Sequence, residues 1–259
     1  MECVLCGQPS DQPGRFCSGC VGPNGSVAGG QGATLEFGPA QMRPLRILQW
    51  PITAGLLAAS GLAGMRTAAL VLSLDAVVRR QPSVTHLGLV QQRVVMGGAG
   101  LFALVGVLWL AWWAVAYANL RPLGVMPREV QAWAVLAWLV PLADVVVPQR
   151  IADELWRGSD PWTPLGWRAG KHARRSPIVR AWWLAWWGAG ALLAGAEVAL
   201  LRVAHPTRSV TIGIDAALIA SAVLVAVAGV AAIGLVIGVT ARQGERARLM
   251  VQAGLVPSA

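Results

Sequence analysis

The sequence predicts an all-α integral membrane helix bundle with a small cysteine-bearing domain in front of it. Hydrophobic residues make up 56% of the chain and charged residues only 13%, whereas about a quarter of the residues in soluble domains are charged. Five apolar runs of roughly membrane length follow residue 44, and all four cysteines lie within the first twenty residues. This composition excludes an ordinary soluble domain.

The cysteines form two pairs with metal-ligand spacing, Cys3-x-x-Cys6 and Cys17-x-x-Cys20. Each pair supplies two thiolates from one tight turn, which is what a closed tetrahedral Zn²⁺ site requires. Because so short a segment buries little apolar surface, the metal would supply its folding free energy, about 10 kcal/mol in comparable peptides. We therefore expect structural Zn²⁺ in a domain of residues 1–22, with all four cysteines as ligands.

The cysteine segment also resembles the short zinc ribbon found at the N-termini of prokaryotic proteins, whose pattern is C-x-x-C-G followed by F-C-x-x-C. Cys6-Gly7 and Phe16-Cys17 carry this resemblance. Two disulfides in an exported segment are an alternative. A redox role is disfavoured, because no strand and helix of thioredoxin type surround the pairs.

Residues 23–44 are rich in Gly, contain Pro and lack a sustained apolar period, so they predict a flexible linker. The membrane domain then spans residues 45–242, and residues 243–259 form a cytoplasmic tail. Four apolar runs are long enough to cross a bilayer, which takes about 20 residues. They lie at about residues 47–65, or further if Arg66 is tolerated inside, 94–117, 181–201 and 210–239.

The remaining apolar run, residues 130–147, is a weaker candidate for a spanning helix. It is barely long enough, contains Pro141 and Asp144, and ends at Pro148. Proline removes a backbone donor and breaks the helical ladder, and lipid cannot replace the lost hydrogen bond. We therefore predict a third helix that is re-entrant or broken at proline.

The distribution of Arg and Lys tests the topology, because cytoplasmic flanks are enriched in these residues. Outside the cysteine segment, five spans with an inside N-terminus leave six of them inside and fourteen outside. If the third run returns to its starting side, fourteen of these residues lie inside and six outside. Five spans with an outside N-terminus give the same fourteen-to-six distribution. Zinc thiolates favour a reducing compartment. We therefore expect a cell-membrane protein with four spans and a cytoplasmic N-terminus.

A Trp/Pro motif lies in and after the third apolar run. It reads Trp138-x-x-Pro141-x-x-Asp144-x-x-x-Pro148 and is followed by Arg150, Glu154 and Trp156. Further residues complete the pattern on both sides: Trp112, Tyr117, Asn119, Arg121 and Gly124 before the motif, and Trp182, Trp183, Thr240 and Gln243 after it.

Over about residues 45–245, this pattern resembles a mostly actinobacterial family of multi-pass membrane proteins that is catalogued only as a domain of unknown function. The family usually has Asn where this chain has Asp144, Tyr where it has Gln149 and Arg where it has Val115. A carboxylate at position 144 hydrogen-bonds differently from an amide. The resemblance implies a membrane architecture and no particular reaction.

Ionisable residues in apolar runs are costly and suggest functional sites. Glu197 lies near the end of one run and Asp215 near the start of the next, so we expect this polar pair at similar depth, within reach of Arg66. The pair forms either a proton or cation site, or a set of interfacial acids that fix helix packing. Asp144 either lines a cavity, as in discontinuous transporter helices, or caps a helix end.

A short interfacial helix is predicted after Pro148, at residues 149–158. Its apolar side chains are expected to face lipid and its charged ones water; they are Ile151, Leu155 and Trp156, and Arg150, Asp153, Glu154 and Arg157. The basic loop 149–180 is expected to meet anionic lipid head groups, unless its charges only fix orientation. The cluster of Trp182, Trp183, Trp186 and Trp187 is typical of an aromatic belt.

No enzyme motif is found in the sequence. Its three histidines lie in separate loops, and it has no G-x-S-x-G, P-loop or dinucleotide-binding pattern. The net charge of +9 does not indicate nucleic acid, because the arginines are scattered between apolar runs. We therefore predict a non-enzymatic anchor or sensor in the lipid bilayer, whose cytoplasmic zinc ribbon contacts a protein partner. The alternative is a small transporter or channel that uses Asp144 in a broken helix.

Overall fold

The computed structural model describes residues 42–79, 85–163, 167–168, 176–203 and 207–252; at 76–77, 85–96 and 167–168 only the backbone is described. The helices are α1 (Arg46–Val78), α2 (Thr85–Ala118), α3 (Gln131–Leu136), α4 (Val147–Gly158), α5 (Pro177–Arg202) and α6 (Arg208–Gln252). Two short strands, β1 (Val125–Met126) and β2 (Trp167–Arg168), pair in parallel. The four cysteines lie outside the described residues, so their zinc site stays a prediction.

Four helices are long and apolar enough to cross a membrane, and the chain is therefore a membrane protein. The qualifying segments are Arg46–Asp75, Gly97–Ala118, Pro177–Arg202 and Arg208–Gln252. This confirms the prediction of an all-α membrane protein with four candidate spans. At about 1.5 Å per residue, a 30 Å hydrocarbon core needs only about 20 residues. The 45 residues of α6 therefore exceed the length of one crossing.

The helices extend past the apolar runs that predict them. In α1, the hydroxyl groups of Thr67 and Ser73 donate to the carbonyls of Ala63 and Leu70, so these polar residues are satisfied inside the helix beyond Arg66.

Helix α6 reaches Gln252, so residues 243–252 of the predicted cytoplasmic tail 243–259 are helical. Residues Val239, Gln243, Arg246 and Met250 recur at helical spacing and are all buried. Packing of this stripe continues the helix after the apolar run has ended.

The third apolar run does not form a spanning helix. Its helix α3 has six residues, turns follow from 137 to 146, and Leu142 has a positive φ of 72°. Its flanks lie close together, because the Arg128 N–H donates to Glu154 Oε1 at 2.7 Å. A crossing would separate these flanks by about 30 Å. The run therefore returns to the side on which it starts.

Two compact units divide the chain. Unit 1 contains the chain up to Gln49, the segment Leu110–Ser176 and the chain from Leu235 onward. Unit 2 contains Trp50–Trp109 and Pro177–Gly234.

Unit 2 has an apolar core formed by three helices. Leu70 of α1, Ala196 of α5, and Ile214 and Leu218 of α6 are buried together. A hydrogen bond from Ser221 Oγ to the Ala189 carbonyl, at 2.9 Å, joins α6 to α5.

The tryptophans at the start of α5 belong to the packing of unit 2. Trp182 and Trp183 are buried, and the Trp182 ring lies 5.6 Å from that of Trp109 on α2. Trp186 stacks on Phe102 of α2, with ring centroids 5.8 Å apart. The aromatic-belt prediction is therefore wrong for Trp182 and Trp183, because protein side chains cover them.

Gly238 allows close packing between α6 and α4 in unit 1. A Cβ atom at Gly238 would lie 2.6 Å from Trp156 Cζ3 and 2.8 Å from Cη2, well inside van der Waals contact. The absence of a side chain at position 238 therefore lets the indole lie directly on the helix backbone.

We expect Gly238→Ala to destabilise the protein by about 1–3 kcal/mol, because the indole has to move. Gly244→Ala is the matched control, since a Cβ there meets nothing within 4 Å. That control should gain up to about 1 kcal/mol from helix propensity. Thermal unfolding in detergent measures both variants, and midpoints that move together would contradict the packing described.

Candidate functional site

Polar side chains from α2, α4 and α6 meet inside unit 1. Those buried below the surface are Asn119, Glu154, Ser159, Thr240, Gln243 and Arg246. Buried polar groups are costly unless hydrogen-bonded. The partners that satisfy them therefore show what this part of the protein is built to hold.

The first group of contacts is the Asn119 junction, formed by Asn119, Gln243, Ser159 and the main chain of Arg43 and Ala116. Asn119 Oδ1 accepts from the Arg43 N–H at 3.0 Å, and Nδ2 donates to the Arg43 carbonyl at 3.0 Å and to Gln243 Oε1 at 3.3 Å. Gln243 Nε2 donates to the Ala116 carbonyl at 2.9 Å and to Ser159 Oγ at 3.1 Å. Two side-chain amides thus join the chain before α1 to α2, α4 and α6.

This junction fixes the end of the predicted linker. Besides the Arg43 contacts, Met42 packs against a buried pair formed by Leu123 and Met250. The flexible linker predicted for residues 23–44 therefore ends before Met42. The Asn119 side chain provides both the acceptor and the donor, and the Arg43 groups that it binds belong to the main chain.

The Asn119 junction also relates the ends of the spans. Two candidate spans separate Arg43 from Asn119, and two more separate Asn119 from Gln243. Because these three residues are in hydrogen-bond contact, the start of α1, the end of α2 and the C-terminal part of α6 lie on one side of the bilayer.

The second group is the Glu154 junction, formed by Glu154, Tyr117 and the main chain of Arg128 and Glu129. Glu154 is only 4% exposed. Its Oε1 accepts from the Arg128 N–H at 2.7 Å and its Oε2 from the Tyr117 hydroxyl at 3.1 Å, while that hydroxyl accepts from the Glu129 N–H at 3.0 Å. Burial raises the pKa of Glu154, and the hydrogen bonds from Arg128 and Tyr117 only partly oppose this rise.

The orientation of α4 corrects the prediction for this helix. Ile151 and Leu155 are fully buried inside unit 1 instead of facing lipid, and Glu154 is buried instead of facing water. Asp153 accepts from the Ser176 N–H at 2.9 Å, next to the start of α5, and Arg150 is exposed. The apolar face of α4 is thus satisfied by protein, because α4 packs within unit 1.

The third group is the Trp156 stack, formed by Trp156, Arg242, Arg246 and Asp160. The guanidinium of Arg242 lies 3.9 Å from the centre of the Trp156 ring, and its Nη1 donates to the Trp156 carbonyl at 3.0 Å. Arg242 Nη1 is also 3.9 Å from Asp160 Oδ2. A partly desolvated cation–π contact of this kind contributes about 0.5–2 kcal/mol.

Arg246 was not singled out by the sequence. It is 2% exposed, and its Nε and Nη1 donate to the carbonyls of Leu123 and Asp160 at 2.9 Å and 2.6 Å. The signal that locates it is its helical spacing from Val239, Gln243 and Met250, all buried on α6.

The other motif residues lie around these junctions. The half-buried Trp138 packs edge-on against Trp113, with ring centroids 5.5 Å apart, and Pro148 is buried in the first turn of α4. Pro141 is exposed in a turn. Asp144 is half-buried, and among the described residues its buried Oδ1 has no hydrogen-bond partner.

The predicted capping role of Asp144 is wrong. The residue before α4 is Val146, and no side chain caps the first turn of this helix. Elsewhere in unit 1, the indole N–H of Trp112 donates to Thr240 Oγ1 at 3.4 Å, which joins α2 to α6.

Residues 80–241 match a protein family described as a domain of unknown function, DUF4328. The chain belongs to this family. Comparison with curated proteins and with solved structures gives no match. The DUF4328 region includes Tyr117, Asn119, Glu154, Trp156 and Thr240, and it ends just before Arg242 and Gln243. Since the family description names no activity, the function has to be argued from the geometry.

The predicted pair Glu197 and Asp215 lies in the DUF4328 region but not at the junctions. Glu197 is exposed on α5 and Asp215 is half-buried on α6. Each follows a buried apolar residue of the unit 2 core, Ala196 and Ile214. Among the described residues, Arg66 makes no ion pair with either acid. Their role as a pair stays a prediction.

The three groups use their polar atoms mainly on each other and on the main chain. Within the described residues, no cluster of His, Cys, Asp and Glu is placed to hold a metal ion. Chemically, the arrangement is suited to hold chain segments together, because apart from Arg246 Nη2, which has no hydrogen-bond partner among the described residues, its donors and acceptors are directed at protein groups.

We expect Asn119→Ala to release the chain at Arg43. The substitution removes the partner of the N–H and the carbonyl of Arg43, whose bonds to Asn119 are part-buried, and the net loss for such a hydrogen bond is about 0.5–1.5 kcal/mol. Hydrogen exchange in detergent should therefore rise at residues 43–46 and stay unchanged in α5. Gln131→Ala, at an exposed amide, is the control. Unchanged exchange at residues 43–46 would show that the junction does not hold this segment.

We expect the wild type to lose stability relative to Glu154→Gln as the pH rises. The pKa of Glu154 lies above its ordinary value of 4.5, so the folded protein binds this proton more tightly than the unfolded chain. The resulting stability is present below pH 4.5 and is lost as the pH rises through the raised pKa. Glutamine keeps the shape and does not titrate.

Unfolding midpoints of the two proteins across pH 4.5 to 8 measure the difference. Glu245→Gln, on the surface of α6, controls for the loss of a carboxylate as such. A gap between wild type and Glu154→Gln that grows in favour of the wild type at high pH would contradict the sign.

Proposed function

We propose that this protein is a non-catalytic membrane anchor that holds an N-terminal zinc ribbon at the cytoplasmic face and presents it to a protein partner. The observation that carries the proposal is the Asn119 junction, in which both main-chain polar groups of Arg43 bind one side chain at 3.0 Å. The N-terminal segment therefore leaves the membrane domain from a fixed point.

The linker then restricts where the ribbon is found. About twenty residues separate the ribbon from Met42, and a flexible Gly-rich chain of that length has an end-to-end distance of about 25 Å. A short tether of this kind keeps its cargo at an effective concentration in the millimolar range. Anchoring thus favours the encounter between the ribbon and a partner at the membrane surface.

The cytoplasmic location is supported by charge. The hydrogen bonds of unit 1 join the start of α1, the segment between α2 and α5, and the C-terminal part of α6. Together with the first turn of α5, which contains Arg180, these regions contain fourteen of the twenty Arg and Lys residues outside the ribbon. Because positive residues are enriched on the cytoplasmic side, this side is assigned to the cytoplasm, where zinc thiolates are stable.

The structural role proposed for Zn²⁺ follows from its four ligands. Cys3, Cys6, Cys17 and Cys20 would fill the tetrahedral coordination sphere and leave no open position for a reaction. The ion would therefore fold the ribbon, and the surface of the folded ribbon would recognise the partner.

The alternative function, a small transporter, depends on Asp144. This residue lies in the turns between α3 and α4 and outside the four candidate spans. Transport predicts that Asp144→Asn changes ion flux in proteoliposomes and leaves partner binding intact. The anchor predicts unchanged flux.

The proposal is tested by affinity purification from native membranes. Three forms are compared: the full chain, the chain without its first 22 residues, and the chain with all four cysteines changed to serine. We expect equal membrane retention, one zinc ion per chain in the first form alone, and loss of the same bound protein from the other two. A partner that remains on the serine variant would show that the zinc ribbon does not recruit it.

A further inference from the structure

The segment between α3 and α4 exposes a patch of apolar side chains, and we name residues 136–146 the apical loop. Its exposed members are Leu136 at 47%, Leu139 at 67%, Val140 at 39%, Leu142 at 86%, Val145 at 43% and Val146 at 41%. Water-soluble surfaces rarely carry so many large apolar side chains together, and such patches mark contact with lipid or protein.

The apical loop also lacks exposed charge. Between Val130 and Gln149, Asp144 is the only ionisable residue. It is half-buried and its Oδ1 is covered by protein. Exposed arginines, Arg128 and Arg150, lie at the two ends of this stretch, where long cationic side chains are able to reach lipid head groups.

The leucines point outward because the backbone holds them there. Asp144 N–H donates to the Val140 carbonyl at 3.0 Å, and Val147 N–H donates to the Ala143 carbonyl at 2.8 Å. Inside the turn that the first of these bonds closes, Leu142 adopts a φ of 72°, a conformation that bulky residues rarely accept. The fold thus accepts backbone strain at the residue whose side chain is most exposed in the loop.

The position of the loop's base identifies the surrounding medium. Trp138 packs against Trp113 with ring centroids 5.5 Å apart. Trp113 lies inside the candidate span Gly97–Ala118, five residues before its end. At about 1.5 Å per residue, the base of the loop therefore lies at the depth of the last turns of the span, below its end. Side chains exposed from that level meet the same medium as the span.

We propose that the apical loop is inserted into the hydrocarbon edge of the leaflet around the C-terminal end of α2, with Leu139 and Leu142 against acyl chains. Both flanks return to one side, since Arg128 N–H binds Glu154. The loop therefore enters and leaves the same leaflet. It gives unit 1 a lipid contact of its own beside the spans.

The test uses the full-length chain in lipid nanodiscs with p-benzoylphenylalanine placed at Leu139 or at Leu142. Irradiation is followed by mass spectrometry of the adducts. Val107, exposed on α2 inside the candidate span, is the positive control, and Arg248, exposed near the end of α6, is the negative control. We expect lipid adducts at positions 139 and 142 in yields similar to that at position 107. At position 248 we expect almost no lipid adducts.

Two results would overturn the proposal. Adducts at positions 139 and 142 with a second copy of this chain, or with another protein when native membranes are irradiated, would show a protein interface. Yields as low as at position 248 would place the loop in water. Leu139 and Leu142 are both exposed, so each position accepts a large side chain. If the variant at one position fails to fold, the variant at the other position carries the test. The ribbon takes no part in this experiment, so its outcome is independent of the proposed function.

Discussion

The hydrogen bonds between Asn119 and the main chain of Arg43 fix the point at which the N-terminal segment joins the membrane domain. The same amide binds Gln243, which in turn binds the Ala116 carbonyl and Ser159. A buried network of this kind stabilises a structure only when all its members are paired. The position of the N-terminal segment is therefore coupled to the packing of α2, α4 and α6, and none of these contacts is independent of the others.

The Glu154 junction imposes the second constraint, because it closes the base of the third apolar run. The carboxylate of Glu154, on helix α4 after the run, accepts a hydrogen bond from the main chain of Arg128 before the run. Pro141 and the left-handed backbone of Leu142 prevent a continuous helix between these points. The run consequently cannot cross the bilayer, and the number of crossings stays even. The topology proposed above would then put fourteen of the twenty Arg and Lys residues outside the ribbon on the side of Arg43, as the positive-inside rule favours.

The sequence predicts those features that follow directly from the bilayer. Run length identifies the four candidate spans, and Pro141 identifies the interruption of the third run, because lipid demands both length and satisfied backbone groups. The sequence does not predict whether lipid or protein covers the apolar face of a helix. The spacing of Ile151 and Leu155 is the same whether lipid or protein packs against α4, and the structure places protein there. The partners of Asn119 and Arg246 are missed for another reason, since they include main-chain groups that leave no pattern in the sequence.

The hydrogen bonds of the buried polar side chains in unit 1 favour a static anchor over a transporter. A transporter alternates between two arrangements of similar free energy, and each arrangement has to satisfy its buried groups. In unit 1, Asn119 and Gln243 have their amides bound to protein, and Glu154 has both oxygens bound. A second arrangement would have to replace all these contacts at once, at about 1–3 kcal/mol for each group left unsatisfied. One arrangement is thus strongly favoured in unit 1.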